Sequence, residues 1–191
     1  MNLSIPAELL SPKQPCNPHL SDALWEKKTL NLFRGVIESR ATQMSAVEIG
    51  NHVRRIVKEE FKPGFFLPFA FGAIVHLDST PPAISDIAKL IDTKARWRDT
   101  WQWVIVCDNN RKKAFGVHTW LHGYLRPVYE DLLAQLESAG YNCTSQDRAV
   151  DNLFVQLEKS RARLLKLKNA LLLVAVVIGV VLIIGKLFFG G

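Results

Sequence analysis

Polar and apolar positions change rhythm several times along the chain, and each change predicts an element. Residues 1–20 carry Pro6, Pro12, Pro15 and Pro18 among small polar residues with no period, which predicts an extended, flexible Pro-rich arm. Over residues 21–42 the apolar set Leu24, Trp25, Leu32, Phe33, Val36 and Ile37 recurs at i, i+3, i+4 spacing, the stripe of an amphipathic helix capped by Ser21. Ser45 and Glu48 form a capping box that opens a second helix with apolar positions Ile49, Val53, Ile56 and Val57, ending near Pro63 and Gly64.

The rhythm then shortens. Residues 65–77 read FFLPFAFGAIVHL, rich in aromatic and β-branched residues, which predicts a strand over 70–77. Pro81 and Pro82 suit the first turn of a third helix over about 83–93. Residues 101–107, WQWVIVC, predict a buried strand, and the turn Asp108-Asn109-Asn110-Arg111 returns the chain through 113–120 as a hairpin partner. A fourth helix is predicted over 127–139 with Gly140 as its C-terminal cap, and the hinge at Thr144-Ser145-Gln146 leads into an amphipathic basic helix. The fold class these elements predict is α+β. Two N-terminal helices precede a short antiparallel sheet that includes the hairpin, with flanking helices and one C-terminal transmembrane helix.

The longest apolar run dominates the organisation. Residues 170–185 hold sixteen consecutive apolar residues, about 24 Å of helix. With Lys186 snorkelling and Leu187, Phe188 and Phe189 completing the span, the length reaches about twenty residues, enough to cross a bilayer once. Arg161, Arg163, Lys166 and Lys168 form a basic collar upstream, which places that side in the cytosol. The expected domains are the arm at 1–20, a cytosolic domain at 21–143, a juxtamembrane helix at 144–169 and a tail anchor at 170–189.

Composition adjusts this picture in two places. The net charge of +6 sits largely in the collar, where each basic residue gains about 1 kcal/mol near anionic headgroups. No nucleic-acid motif accompanies that charge, so it is read as membrane-directed. The three cysteines, Cys16, Cys107 and Cys143, include no C-x-x-C pair, which fits a reducing compartment and neither a disulfide framework nor a zinc site. No glycine-rich phosphate loop occurs.

Candidate chemistry is sparse. Cys107 and His118 lie on facing strands of the predicted hairpin and could form a nucleophile pair, although a thiol inside WQWVIVC reads first as a small core hydrophobe. His76 and Asp78 point to one face of their strand. Trp97, Trp101, Trp103 and Trp120 interleave with basic residues and read either as core or as a recognition surface. Trp97 with Arg96 and Arg98, outside the apolar strand, and Arg111 and Lys112 in the turn, are the candidate partner-binding residues. Ala175 and Gly179, with Val150, Leu157 and Leu164 at heptad spacing, allow self-association through residues 150–185.

A bundle-like start followed by a basic-flanked anchor is similar in layout to the tail-anchored apoptosis regulators. Residues 30–43 would pass as their first helix, while their N-W-G-R signature is absent. That resemblance implies a regulator of membrane permeability with an all-helical fold. The residues themselves favour a non-enzymatic adaptor or regulator, needing no cofactor and no metal. It would present a protein-binding domain on the mitochondrial outer membrane or the endoplasmic reticulum, with a thiol enzyme using Cys107 and His118 as a third reading.

Overall fold

The computed structural model describes residues 3–63, 67–91, 99–119 and 125–148. Seven strands form one mixed sheet in which spatial order follows chain order: β1 (Ser11–Lys13), β2 (Ala23–Lys28), β3 (Phe33–Ala41), β4 (Phe69–Leu77), β5 (Asp99–Asp108), β6 (Lys113–His118) and β7 (Asn142–Asp147). The pairs β1–β2, β2–β3 and β5–β6 are antiparallel, whereas β3–β4, β4–β5 and β6–β7 are parallel. Parallel neighbours need crossovers. These are α1 (Ala46–Ile56, prolonged by a π-helical turn over Val57–Phe61), α2 (Ile84–Ala88) and α3 (Arg126–Ser138).

Handedness decides which face each helix covers. Strands β6 and β7 run opposite to β3, β4 and β5, so right-handed crossovers put α3 on the face opposite to α1 and α2. The packing agrees. Ile49, Val53 and Ile56 of α1 and Ile87 of α2 bury against Ile37, Phe71, Val75 and Val106. On the other face Val128, Tyr129, Leu132 and Leu136 of α3, with Leu3, Ile5 and Leu10 of the N-terminal segment, bury against Val36, Ile74, Trp103 and Ile105. The Pro-rich segment thus contributes β1 and three buried apolar side chains. All nine residues of β4 are buried.

This architecture corrects the expected fold class. The sheet is seven-stranded and mixed, not a short antiparallel one, and more of the described chain is strand than helix. The expected first helix over 21–42 is the hairpin of β2 and β3, closed by Thr29, whose N–H and hydroxyl both donate to the Leu32 carbonyl at 2.9 Å. Its apolar residues come in adjacent pairs because a strand covered on both faces needs one for each core. Leu24 and Ile37 enter one core, Trp25 and Val36 the other. Residues 30–43 therefore supply β3 and its flanks, not the first helix of an apoptosis-regulator bundle. Thr144, Ser145 and Gln146 lie within β7.

Other local signals carry through. The Ser45–Glu48 capping box opens α1 with both of its hydrogen bonds present. The hairpin of β5 and β6 turns through residues 109–112 with Lys112 at φ 51°, and Gly140 follows α3 at φ 83°. The Trp-rich strand is core: Trp101 and Trp103 are both 0% exposed. A bulge at Phe71/Gly72 shifts the register so that Gly72 pairs with Trp103. Gln102, the extra residue, uses its side-chain oxygen to accept the Leu125 N–H at 3.2 Å, fixing the start of α3.

The apolar run 170–189 and the collar at Arg161, Arg163, Lys166 and Lys168, with Lys186, lie outside the described residues, in a unit distinct from residues 1–149. Among the described residues, no helix is long and apolar enough to cross a membrane.

Close approach at the bulge gives a direct test of this packing. A Cβ added at Gly72 would sit inside the Trp103 indole. The substitution Gly72→Ala is expected to destabilise the fold by about 1–3 kcal/mol through overpacking, read as a lower urea midpoint with an unchanged slope. An unaltered midpoint would show that Trp103 does not rest on Gly72.

Candidate functional site

In open α/β sheets ligands gather beyond the carboxyl ends of parallel strands. Here those ends are Ala41 of β3, Leu77 of β4 and Asp108 of β5. Three polar assemblies sit at this edge, and strand alternation assigns two of them to opposite faces of β3. Glu38 and Arg40 point to the α3 side and Ser39 points to the α1 side.

On the α1 side, the β2–β3 register sets Ala23 against Glu38, so Asp22 falls opposite Ser39. The Ser39 hydroxyl donates to Asp22 Oδ1, and His52 Nε2, reaching down from α1, lies 3.0 Å from the same oxygen and 3.2 Å from Ser39 Oγ. Arg55 Nη2 is 3.3 Å from His52 Nδ1. A catalytic relay needs the serine on one imidazole nitrogen and the carboxylate on the other. Here both crowd Nε2, and the arrangement is a polar knot that ties β2, β3 and α1. Burial by itself raises the Asp22 carboxyl, but the hydrogen bonds from His52 and Ser39 outweigh it, and the group ends below its ordinary value.

On the α3 side, Glu38 Oε1 lies 3.3 Å from both His76 Nε2 and Arg40 Nη2. His76 is 4% exposed, and its Nε2 meets the carboxylate at ion-pair distance without the alignment of a directed hydrogen bond. Burial raises the Glu38 carboxyl, His76 and then Arg40 lower it, and the balance is downward. Beside this pair a pocket of about 390 Å³ opens between the N-terminal segment and the sheet, lined by Leu3, Ser21, Ala23, Trp25, Glu38 and Arg40. A second pocket, of about 470 Å³, lies at the α1 N-terminus between Gln43, Met44, Ser45, Glu48, Thr80 and Pro82.

The third assembly is the β5–β6 turn. Asp108 Oδ1 accepts the N–H groups of Asn110 at 3.0 Å and Arg111 at 2.9 Å. Asn109 Nδ2 donates to Asp78 Oδ1 at 2.8 Å, Asn110 Nδ2 donates to the Asp78 carbonyl, and Tyr141 donates to Asn109 Oδ1 at 2.9 Å. Lys112 Nζ lies 4.6 Å from the Tyr141 ring centroid. The backbone is thereby held from β4, β5 and the start of β7, while Asn110, Arg111, Lys112 and Lys113 are exposed. The Arg111 pair with Asp108, at 4.0 Å and with the arginine side chain 64% exposed, is weak.

Of the residues singled out in the sequence, Arg111 and Lys112 therefore share this turn. Trp97, Arg96 and Arg98 lie outside the described residues. Cys107 pairs with Ala114 and His118 with Trp103, four positions apart along β5. At about 3.3 Å per residue the two side chains are beyond hydrogen-bond reach. Cys107 is fully buried, and that burial pushes its thiol up, away from the reactive thiolate. His118 instead packs edge-on to Tyr129 and lies 3.8 Å from Asp147. Burial pushes its imidazole down, partly offset by Asp147. Tyr129 bonds Ser145 at 2.7 Å, and burial pushes its hydroxyl up to about 12.

Sequence reasoning missed Asp22, Glu38 and Ser39 because it read their segment as a helix, and His52, on the correctly read α1, because its partners lie in that segment. Alternation of Glu38 and Arg40 about Ser39 was the available signal. His76 was singled out with Asp78, but its partner is Glu38; Asp78 lies past the strand end and holds the turn.

Comparison with protein-family models, curated proteins and solved structures returns no match.

Both edge carboxyls bind a proton less readily folded than unfolded. Their stabilisation is complete above the ordinary carboxyl pKa of about 4 and is lost as pH falls through the depressed values. Thermal unfolding between pH 7 and pH 3 should therefore show a falling melting temperature, with a shallower slope in Asp22→Asn and Glu38→Gln. Slopes identical to the parent would mean that neither carboxylate is coupled to folding.

Proposed function

We propose that this chain is a non-enzymatic adaptor or regulator, held on an intracellular membrane by the apolar run 170–189, and that the turn after β5 engages an acidic segment of a protein partner. The observation that carries the reading is the combination of a pinned backbone with three consecutive exposed cations, Arg111, Lys112 and Lys113. A recognition element fixed before encounter loses little entropy on binding. Charge at an exposed rim raises the association rate and fixes register more than it adds affinity. Anchoring supplies the rest. Confinement to the same membrane as the partner raises effective concentration, so modest intrinsic affinity suffices.

The basic collar at Arg161, Arg163, Lys166 and Lys168, with Lys186 beyond the run, fits an orientation with the folded domain in the cytosol. The mitochondrial outer membrane and the endoplasmic reticulum are the candidate hosts.

The test is charge reversal in the full chain, Arg111→Glu with Lys112→Glu, followed by carbonate extraction and proximity labelling from an N-terminal tag. Both forms should stay in the membrane pellet and melt within a few degrees of each other, because exposed ion pairs contribute about 1 kcal/mol or less. The variant should lose labelling of a defined acidic neighbour by tenfold or more. Extraction of the parent by carbonate would overturn the anchor, and unchanged labelling would overturn the role of the turn.

A further inference from the structure

The buried Glu38 is held through one oxygen only. Oε1 takes both of its protein neighbours, His76 Nε2 and Arg40 Nη2, each at 3.3 Å. Oε2 takes part in none of the hydrogen bonds or ion pairs among the described residues and is not one of the fully buried polar atoms, and Glu38 forms part of the wall of the pocket of about 390 Å³. A carboxylate in a pocket wall that is ionised at neutral pH and has one oxygen uncommitted can take a charged donor there. We infer that this pocket binds a small primary alkylammonium ion, with its charged head on Glu38 Oε2 and its carbon chain along Trp25, Ala23 and Leu3.

Three features select that ligand class. First, the sign: an anion entering to meet Arg40 would have to approach an ionised carboxylate in a largely desolvated wall, where like charge is costly. Second, the head group: a guanidinium prefers two carboxylate oxygens in a fork, whereas one oxygen suits the compact point charge of an ammonium. The Ser21 hydroxyl, also in the lining, offers a second acceptor for its protons. Third, the body: Trp25 contributes an aromatic wall that favours both methylene groups and cations, and the volume lies at the small end of ligand pockets, about 300–1,000 Å³. This site lies on the α3 face of β2 and β3, and the inference does not depend on the turn at Arg111 and Lys112 or on a protein partner.

The experiment is isothermal titration of the full chain in detergent micelles at low salt, with empty micelles as the blank. The titrants are n-butylammonium, n-butylguanidinium, n-butanol and butyrate. The expected result is saturable one-to-one binding of n-butylammonium, at least tenfold weaker n-butylguanidinium, and no saturable binding of the alcohol or the anion. Glu38→Gln, which keeps the shape and removes the charge, should weaken the ammonium by tenfold or more. Arg40→Gln removes the competing cation and should tighten it severalfold. Absence of ammonium binding to the parent, equal binding of the alcohol or butyrate, or undiminished binding by a folded Glu38→Gln chain would overturn the assignment. If circular dichroism shows that Glu38→Gln does not fold, Arg40→Gln decides: unchanged or weaker binding overturns it.

Discussion

Burial of the central strands on both faces is the constraint from which the other features follow. A strand with water on one side can hide its polar residues there; β3, β4 and β5 have no such side over most of their length. Each successive residue must satisfy a different core, α1 and α2 on one face, α3 and the N-terminal segment on the other. Adjacent apolar residues are then required where a half-buried strand would alternate. The glycines follow from the same crowding. Gly72 leaves room for Trp103, and Gly116 leaves room for the Tyr129 hydroxyl.

Polar residues that remain in such strands must be answered within reach, since an uncompensated buried charge costs several kcal/mol. The two clusters on β3 solve this differently. Asp22 is surrounded: Ser39 and His52 share its Oδ1, and Arg55 closes the far side of the imidazole. This knot joins three elements and leaves its groups engaged with one another. Glu38 is only half answered, with His76 and Arg40 both on one oxygen and the other uncommitted in the wall of a cavity. Chemically similar pairs, one residue apart, thus differ in character, one closed and one open. The difference traces to what covers each face. The α1 helix delivers His52 and Arg55 directly over Asp22, whereas the N-terminal segment brings only Leu3 to the pocket before Glu38.

How much of this was legible in the sequence depended on whether a signal was local. The Ser45–Glu48 capping box, the turn after Asp108 and the glycine after α3 are local chemistry; the box and the glycine stand where their residues predicted, and the turn lies one residue later, with its positive φ at Lys112. The β2–β3 hairpin was not legible by the same route. Pairs such as Leu24-Trp25 and Val36-Ile37 satisfy helical spacing and two-sided strand burial equally well. Only the long-range covering of both faces separates the two, although Gly35 beside the β-branched Val36 and Ile37 leaned towards strand. The candidate site split in the same way. Arg111 and Lys112 belong to a turn readable from four residues, while Glu38, His76 and Trp25 meet only through strand order.

The turn and the pocket also differ in how they relate to the sheet. Asp108, Asp78, Asn109 and Tyr141 spend their hydrogen bonds on holding backbone and on one another, so the cations they present face outward without altering the core. Glu38 does the reverse, since its charge lies within the wall that stabilises β3. Occupation of the pocket would therefore be coupled to the stability of the central strands, whereas contact at the turn would not. Under the proposed function, that separation would let the two sites act independently. Partner contact through Arg111 and Lys112 can be tuned by exposed charge, while a cation on Glu38 Oε2 would act on the fold itself. Linkage then requires that whatever stabilises β3 also tighten the pocket's hold on its ligand.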